Sequence, residues 1–149
     1  LDYVPDWRLM YGRDGFIQVQ LFVPDATARD AFAEALRVCQ KRGVVSYLGV
    51  FKRHKPDDFL LSHGLDGWSL ALDFKVPRDA QRLWDTAKDL TRIVLEAGGT
   101  YYPAKDQVVD ADSFAKAFGT RYDRFRAMRQ QMDPGALFAN DQARRLGLA

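Results

Sequence analysis

The fold is decided by the stretch GFIQVQLFVPDATARDAFAEALRVCQKRG, residues 15 to 43, in which a strand pattern passes directly into a helix pattern. Residues 15 to 23 alternate like a half-buried β-strand, although the register is imperfect. The apolar side of this strand is predicted to hold Phe16, Val19, Leu21 and Val23, and the polar side holds Gln18 and Gln20. Such a strand predicts a sheet that is covered by helices on one face.

The residues after Pro24 predict an amphipathic helix over residues 25–42. Asp25 is the N-cap candidate, and Gly43 is the residue that ends the helix. Apolar residues recur at spacings of three and four, and they form one stripe: Ala28, Phe32, Ala35, Leu36 and Cys39. Cys39 is interpreted as a structural thiol, because nothing near it in the sequence would lower its pKa.

The rest of the sheet and its second helix follow in order along the chain. Strands are predicted at residues 44–52 and 68–76, on either side of a polar loop, RHKPDD, and a GLDG turn. Helical spacing covers residues 78–97 until a Gly-Gly pair stops it, and a short strand is predicted at 100–103. The order β-α-β-β-α-β predicts an α+β, ferredoxin-like domain with an antiparallel sheet and both helices on one face.

The C-terminal residues are predicted to be a helical extension of the same domain. Two successive helices are predicted in DADSFAKAFG and TRYDRFRAMRQQ. A third is predicted in MDPGALFAND, with Asp133 as N-cap and Pro134 at the first helical position. No linker or repeat marks a boundary, so residues 1–149 are predicted to form a single domain.

Composition and charge exclude several classes of function. Lys plus Arg is 22 against 20 for Asp plus Glu, and the charges are scattered, so nucleic acid is not an expected partner. One cysteine and two histidines cannot build a zinc site of the usual ligand types, so no metal is expected. No apolar run reaches the length of a membrane span, which predicts a cytoplasmic protein. The chain begins LDYVPDW, without methionine, so it is expected to be part of a longer protein.

Polar residues on the strands need a separate explanation, because the sheet face without helices meets either water or a partner. Side chains predicted to lie on that face are Gln18, Gln20, Val50, Lys52, Ser69, Ala71, Asp73, Tyr102 and Lys105. Two interpretations remain open from the pattern alone, a solvated surface or a ligand-binding wall. His54 and His63 are interpreted as exposed residues of the polar loop, since no serine or cysteine elbow accompanies them.

Segments of the chain resemble, in order and spacing, the C-terminal half of FAD-linked oxidases of the vanillyl-alcohol oxidase type. They are GFIQVQLFVP, SYLGVFK, GWSLALDF, GGTYYPAKD and the tail MDPGALFANDQARRL. The resemblance implies that a separate N-terminal domain holds FAD and that this chain is the substrate-binding half. It implies hydride transfer from a sugar or polyol hydroxyl to flavin. GGTYYPAKD lacks the histidine and tryptophan that precede the lysine in lactone oxidases, so a simple lactone oxidase is not expected.

The same resemblance implies roles for individual residues. Lys105 falls on the family's lysine near the flavin, where an ammonium stabilises negative charge during reduction, and Tyr102 falls on a tyrosine beside the cofactor. Pocket-lining positions fall on Gln18, Gln20, Val50, Lys52, Ser69 and Ala71. Lys52 and the glutamines are expected to bind substrate hydroxyls or a phosphate.

Two alternatives accompany this assignment. In the first alternative, Lys105 has no role at the flavin and is a solvated lysine at a strand end that pairs with Asp106. In the second alternative, the whole chain is a free-standing ferredoxin-like module that binds a small ligand or dimerises through its sheet, without redox activity. An exposed pocket wall would also favour homodimers or aggregates of the isolated chain.

Overall fold

The strands form an antiparallel sheet in the computed structural model of the chain, which describes residues 5–149 except for the side chain of Arg8. They are β1 (Phe16–Pro24), β2 (Ser46–His54), β3 (Gly67–Lys75) and β4 (Thr100–Tyr101), in the sheet order β2-β3-β1-β4. β1 pairs with β3 and β4, and β2 lies at the edge beside β3. The predicted α+β, ferredoxin-like arrangement is confirmed, with strand ends displaced by one or two residues.

Helices α1 (Asp25–Arg42) and α2 (Gln81–Glu96) cover one face of this sheet. Their buried stripes pack on the central strands, where Leu21, Val23 and Phe74 are fully buried. In α1 the stripe contains Ala31 in place of the predicted Leu36, which is exposed. Cys39 is buried on this stripe, and burial raises the pKa of its thiol to about 11, in keeping with a structural role.

The two ends of α1 show how local sequence limits a helix. Gly43 adopts a φ of 64°, and its N–H bonds back to the carbonyls of the last turn, as predicted. Asp25 is not the N-cap, because Pro24 takes that position. The Asp25 carboxylate instead accepts a hydrogen bond of 2.6 Å from the Trp68 indole N–H. The start of α1 is thereby tied to the neighbouring strand β3.

Strand β1 resolves the imperfect alternation of its sequence into two faces. The face under the helices holds Ile17, Val19, Leu21 and Val23. Phe16, predicted on that face, belongs instead to the opposite face with Gln18. It is 40% exposed, and its ring stacks on Tyr11 with 4.4 Å between centroids. Tyr11 ends a short 3-10 helix, Trp7–Tyr11, so a contact from outside the strand explains the apolar residue on this face.

The C-terminal extension consists of α3 (Ala111–Phe118), α4 (Thr120–Met132) and α5 (Asp141–Arg145). Its buried residues join the core of the sheet through Phe114, Phe118, Tyr122 and Leu146. The helix predicted in MDPGALFAND is wrong: the chain turns there, and the Asp133 carboxylate accepts hydrogen bonds from the following N–H groups at 2.8 and 3.1 Å. No helix described for residues 5–149 is both long and apolar enough to cross a membrane.

Candidate functional site

The face of the sheet opposite α1 and α2 carries the polar residues of the strands. Cross-strand pairing places Gln20 opposite Ala71, which also pairs with Val50, and places Lys52 opposite Ser69. Gln18 lies opposite Asp73 on the same face. All the predicted substrate-binding residues therefore lie together, and with two residues that follow β4 they form what we call the polar face: Gln18, Gln20, Val50, Lys52, Ser69, Ala71, Tyr102 and Lys105. Their individual roles remain predictions.

A row of hydrogen bonds crosses the polar face from the turn after β4 to the end of β2. Lys105 Nζ donates to Gln20 Oε1 at 3.1 Å, and Gln20 Nε2 donates to Ser69 Oγ at 3.0 Å. Ser69 Oγ lies 2.8 Å from His54 Nε2, and the exposed fraction of Ser69 is 0%. We call Lys105, Gln20, Ser69 and His54 the hydrogen-bond row. The four residues come from β1, β2, β3 and the turn after β4. The hydrogen bonds between their side chains therefore fix these side chains relative to one another.

Lys105 reaches Gln20 because the chain turns sharply after β4. Gly99 lies so close to the Phe22 carbonyl that a Cβ there would clash, and this close approach keeps β4 against β1. Beyond Tyr102 the chain forms a short 3-10 helix, Pro103–Lys105, with proline at the first position. The turn brings the Lys105 side chain back over the middle of β1.

Asp106 does not pair with Lys105. Its carboxylate accepts hydrogen bonds from the N–H groups of Val108 and Val109, both at 2.9 Å, and from Arg145 of α5, also at 2.9 Å. The alternative of a solvated Lys105 paired with Asp106 is therefore wrong, since Lys105 is half-buried and bonds to a neutral amide. Its ammonium also lies 5.7 Å from the centroid of the Tyr102 ring. Within residues 5–149, Lys105 forms no ion pair with a carboxylate.

Both histidines lie at one end of the polar face, so their interpretation as exposed loop residues is wrong. His54 is the last residue of β2 and is half-buried. The His63 ring packs against Phe22 and Tyr102, with 4.4 Å between centroids in both pairs, and the His63 carbonyl accepts a hydrogen bond of 3.1 Å from Thr100. The signal for His54 is its two-residue step beyond Lys52. His63 gives no such signal, because a long loop delivers it.

The opposite end of the polar face carries a buried acid. Asp73 is 5% exposed, and its carboxylate accepts hydrogen bonds from the Gln18 amide and from the Tyr11 hydroxyl, the latter at 3.4 Å. Burial, followed by the charge of Asp73, raises the pKa of Tyr11. The face therefore has a cationic side near Lys105 and Lys52 and an acidic side at Asp73.

Nearly the whole length of this chain is similar in sequence to part of a known oxidase. It is 37% identical over 149 residues to decaprenylphosphoryl-β-D-ribose oxidase of Mycolicibacterium smegmatis, a match that covers 99% of this chain and 31% of the oxidase. The chain is homologous to the C-terminal part of this oxidase. The identity confirms the resemblance drawn above from separate segments. The chain spans about a third of the length of decaprenylphosphoryl-β-D-ribose oxidase.

Another relative matches a shorter part of the chain. It is described as an uncharacterized protein in the mprA 5' region of Streptomyces coelicolor, and it is 36% identical over 88 residues. That match covers 59% of this chain and 23% of the relative. No protein-family model matches the chain. Of these two relatives, decaprenylphosphoryl-β-D-ribose oxidase is the one whose description states an activity.

Proposed function

We propose that this chain is the substrate-binding part of an FAD-dependent oxidoreductase that oxidises a sugar or polyol hydroxyl to a carbonyl. The observation that carries the proposal is Lys105, a half-buried ammonium bonded to a neutral amide, in a chain homologous to part of an oxidase. A cation without a carboxylate partner suits a reaction in which negative charge develops beside it. The polar face around it supplies the groups that a hydroxylated substrate needs.

The residues at this end of the polar face fit a flavin. Lys105 keeps N–H donors that its bond to Gln20 does not use, and Tyr102 offers a half-exposed aromatic ring beside it. FAD, when bound, would accept the hydride from the carbinol carbon. Lys105 would hold a positive charge where that reduction leaves negative charge. The sequence has no glycine-rich phosphate loop, so a separate domain of the same protein would bind the rest of FAD.

The middle of the polar face would bind the substrate. Gln20 retains one N–H donor and one acceptor site beyond its bonds to Lys105 and Ser69. Lys52 is exposed opposite Ser69, where its ammonium reaches a hydroxyl or a phosphate. Amide and ammonium groups on a rigid sheet fix the orientation of the substrate as well as its affinity. Val50 and Ala71 would form an apolar floor between Gln20 and Lys52.

Lys52→Ala in the complete flavoprotein is expected to weaken substrate binding more than it slows the reaction. The half-saturating substrate concentration should rise about tenfold, because one charged hydrogen bond is lost in ground and transition states alike. The maximal rate of flavin reduction should change by less than about threefold. Anaerobic stopped-flow reduction over a range of substrate concentrations measures both, and Lys55→Ala, an exposed lysine of the following loop, is the control. A large fall in the maximal rate with unchanged half-saturation would contradict the binding role.

The isolated chain of 149 residues is expected to bind FAD weakly or not at all, because the proposed separate domain makes the main contacts to the cofactor. Titration of the chain followed by flavin fluorescence measures this. A complex tighter than about 1 µM would overturn the two-domain proposal.

The reaction itself is tested on the full-length protein that contains the chain. After purification with FAD, it should be reduced anaerobically by at least one member of a panel of sugars, sugar phosphates and polyols. If none of them reduces the flavin, the free-standing ligand-binding module becomes the better account.

A further inference from the structure

The hydrogen-bond row has a definite direction. Lys105 can only donate, so Gln20 must present Oε1 to Lys105 and Nε2 to Ser69. Ser69 Oγ accepts from Gln20, and its own hydrogen is left for His54 Nε2 at 2.8 Å. Because Ser69 has no exposed surface, water is not an alternative acceptor. A neutral His54 that carries its proton on Nδ1 is the form that gives the Ser69 hydrogen an acceptor and leaves every group of the row with a partner.

The surroundings of His54 favour the neutral imidazole. The charged and titratable groups that face it come from its own strand and from the loop, and they are Lys52, Arg53 and His63. The groups packed on it from β1 and β3 are neutral, and they are Phe22 and Ser69. Burial first, and then the two neighbouring cations, lower the pKa of His54. Around neutral pH the row is therefore intact.

The neighbouring histidine does not replace His54 in the row. The two rings lie 6.3 Å apart between centroids, and His63 packs on aromatic rings rather than on Ser69. Burial and the charge of His54 lower the pKa of His63, with Asp57 acting in the opposite sense and Lys105 adding to the decrease. His63 is thus a titratable control at the same end of the polar face, without a bond to the row.

We propose, on the basis of the proposed function, that His54 is the positioning residue that sets the orientation of the Gln20 amide and the Lys105 ammonium toward the ligand. Protonation turns His54 Nε2 from an acceptor into a donor, so the Ser69 hydrogen loses its partner. Ser69 regains an acceptor when the Gln20 amide turns over and presents Oε1 to it, and this turn takes Oε1 away from Lys105. The row loses its direction, and the polar face binds its ligand less tightly at low pH.

A pH titration of the chain by NMR tests the positioning without any enzymatic assay. The side-chain NH₂ signals of Gln20 should shift with the same midpoint as the His54 ring, below the ordinary histidine value of about 6.5. His54→Gln should abolish that shift, because a glutamine Oε1 accepts from Ser69 at every pH. His63→Gln should leave it in place. A Gln20 amide that does not respond, or that still titrates in His54→Gln, would overturn the inference.

The complete flavoprotein supplies the second test. Below the pKa of His54, the half-saturating substrate concentration of the parent should rise about tenfold, the expected cost of one lost hydrogen bond to a charged group. In His54→Gln it should stay level over the same pH range, and in His54→Phe it should be raised at every pH. If no substrate reduces the parental flavin, the proposed function fails while the NMR result stands. If the flavin is reduced but half-saturation has the same pH dependence in the parent and in His54→Gln, the positioning role fails.

Discussion

Lys105→Ala is expected to slow reduction of the flavin by saturating substrate roughly a hundred- to a thousandfold in the complete flavoprotein. The loss of one preorganised charge beside a developing anion typically costs about 3 to 4 kcal/mol of transition-state stabilisation. The fold should persist, because the side chain of Lys105 bonds to Gln20 and lies outside the buried core. Anaerobic stopped-flow spectroscopy at saturating substrate measures the rate directly.

The control for this variant removes another lysine from the same sheet. Lys75→Ala takes away an exposed cation at the far end of β3, and it should leave the reduction rate within about twofold. Lys105→Arg keeps the charge and should recover part of the rate lost in Lys105→Ala. If Lys105→Ala reduced its flavin at the parental rate, Lys105 would have no part in the chemistry, and its bond to Gln20 would be structural.

Phe22→Ala is expected to lower the free energy of unfolding by about 3 to 5 kcal/mol, the usual cost of removing a buried phenylalanine ring. Phe22 lies on the polar side of β1 and yet is 0% exposed, because the two histidine rings cover it at centroid distances of 5.0 and 4.4 Å. Loss of this ring leaves a cavity beneath the cationic end of the polar face. Urea unfolding of the purified chain measures the change.

Phe16→Ala is the matched control, because Phe16 lies on the same face of the same strand and remains partly exposed. Its removal should lower the free energy of unfolding by about 1 kcal/mol. The slope of that free energy against urea concentration should be the same in both variants. Equal losses in the two variants would mean that the histidines do not cover Phe22 in solution. That result would also remove the structural basis for placing His54 and His63 at the functional site.

The order of strands and helices is predictable from the sequence because it follows from short-range periodicity. Alternation in the strands and three-and-four spacing in the helices locate the four strands and α1 to α4 within a few residues, and Gly43 ends α1 where expected. The same two-residue step assigns Gln18 and Gln20 to one face of β1, and Val50 and Lys52 to one face of β2, before any pairing is known. The helix predicted at Asp133 failed because an aspartate followed by proline and glycine suits a turn as well as a helix start, and here the Asp133 carboxylate binds N–H groups four and five residues on.

Tertiary contacts decided what the polar face contains and how it is connected. Lys105 meets Gln20, and Arg145 meets Asp106, across separations of 85 and 39 residues that no local pattern records. His63 reaches the face only because its loop folds over Phe22.

The sequence by itself thus determined the four strands, helices α1 to α4 and their order, and, apart from Phe16, which residues of β1 share a side, because backbone geometry repeats at a fixed period. Only the tertiary structure decided which of those residues bond to one another. The physical reason is that strand register, turn geometry and the approach of α5 bring together groups that lie far apart in the chain.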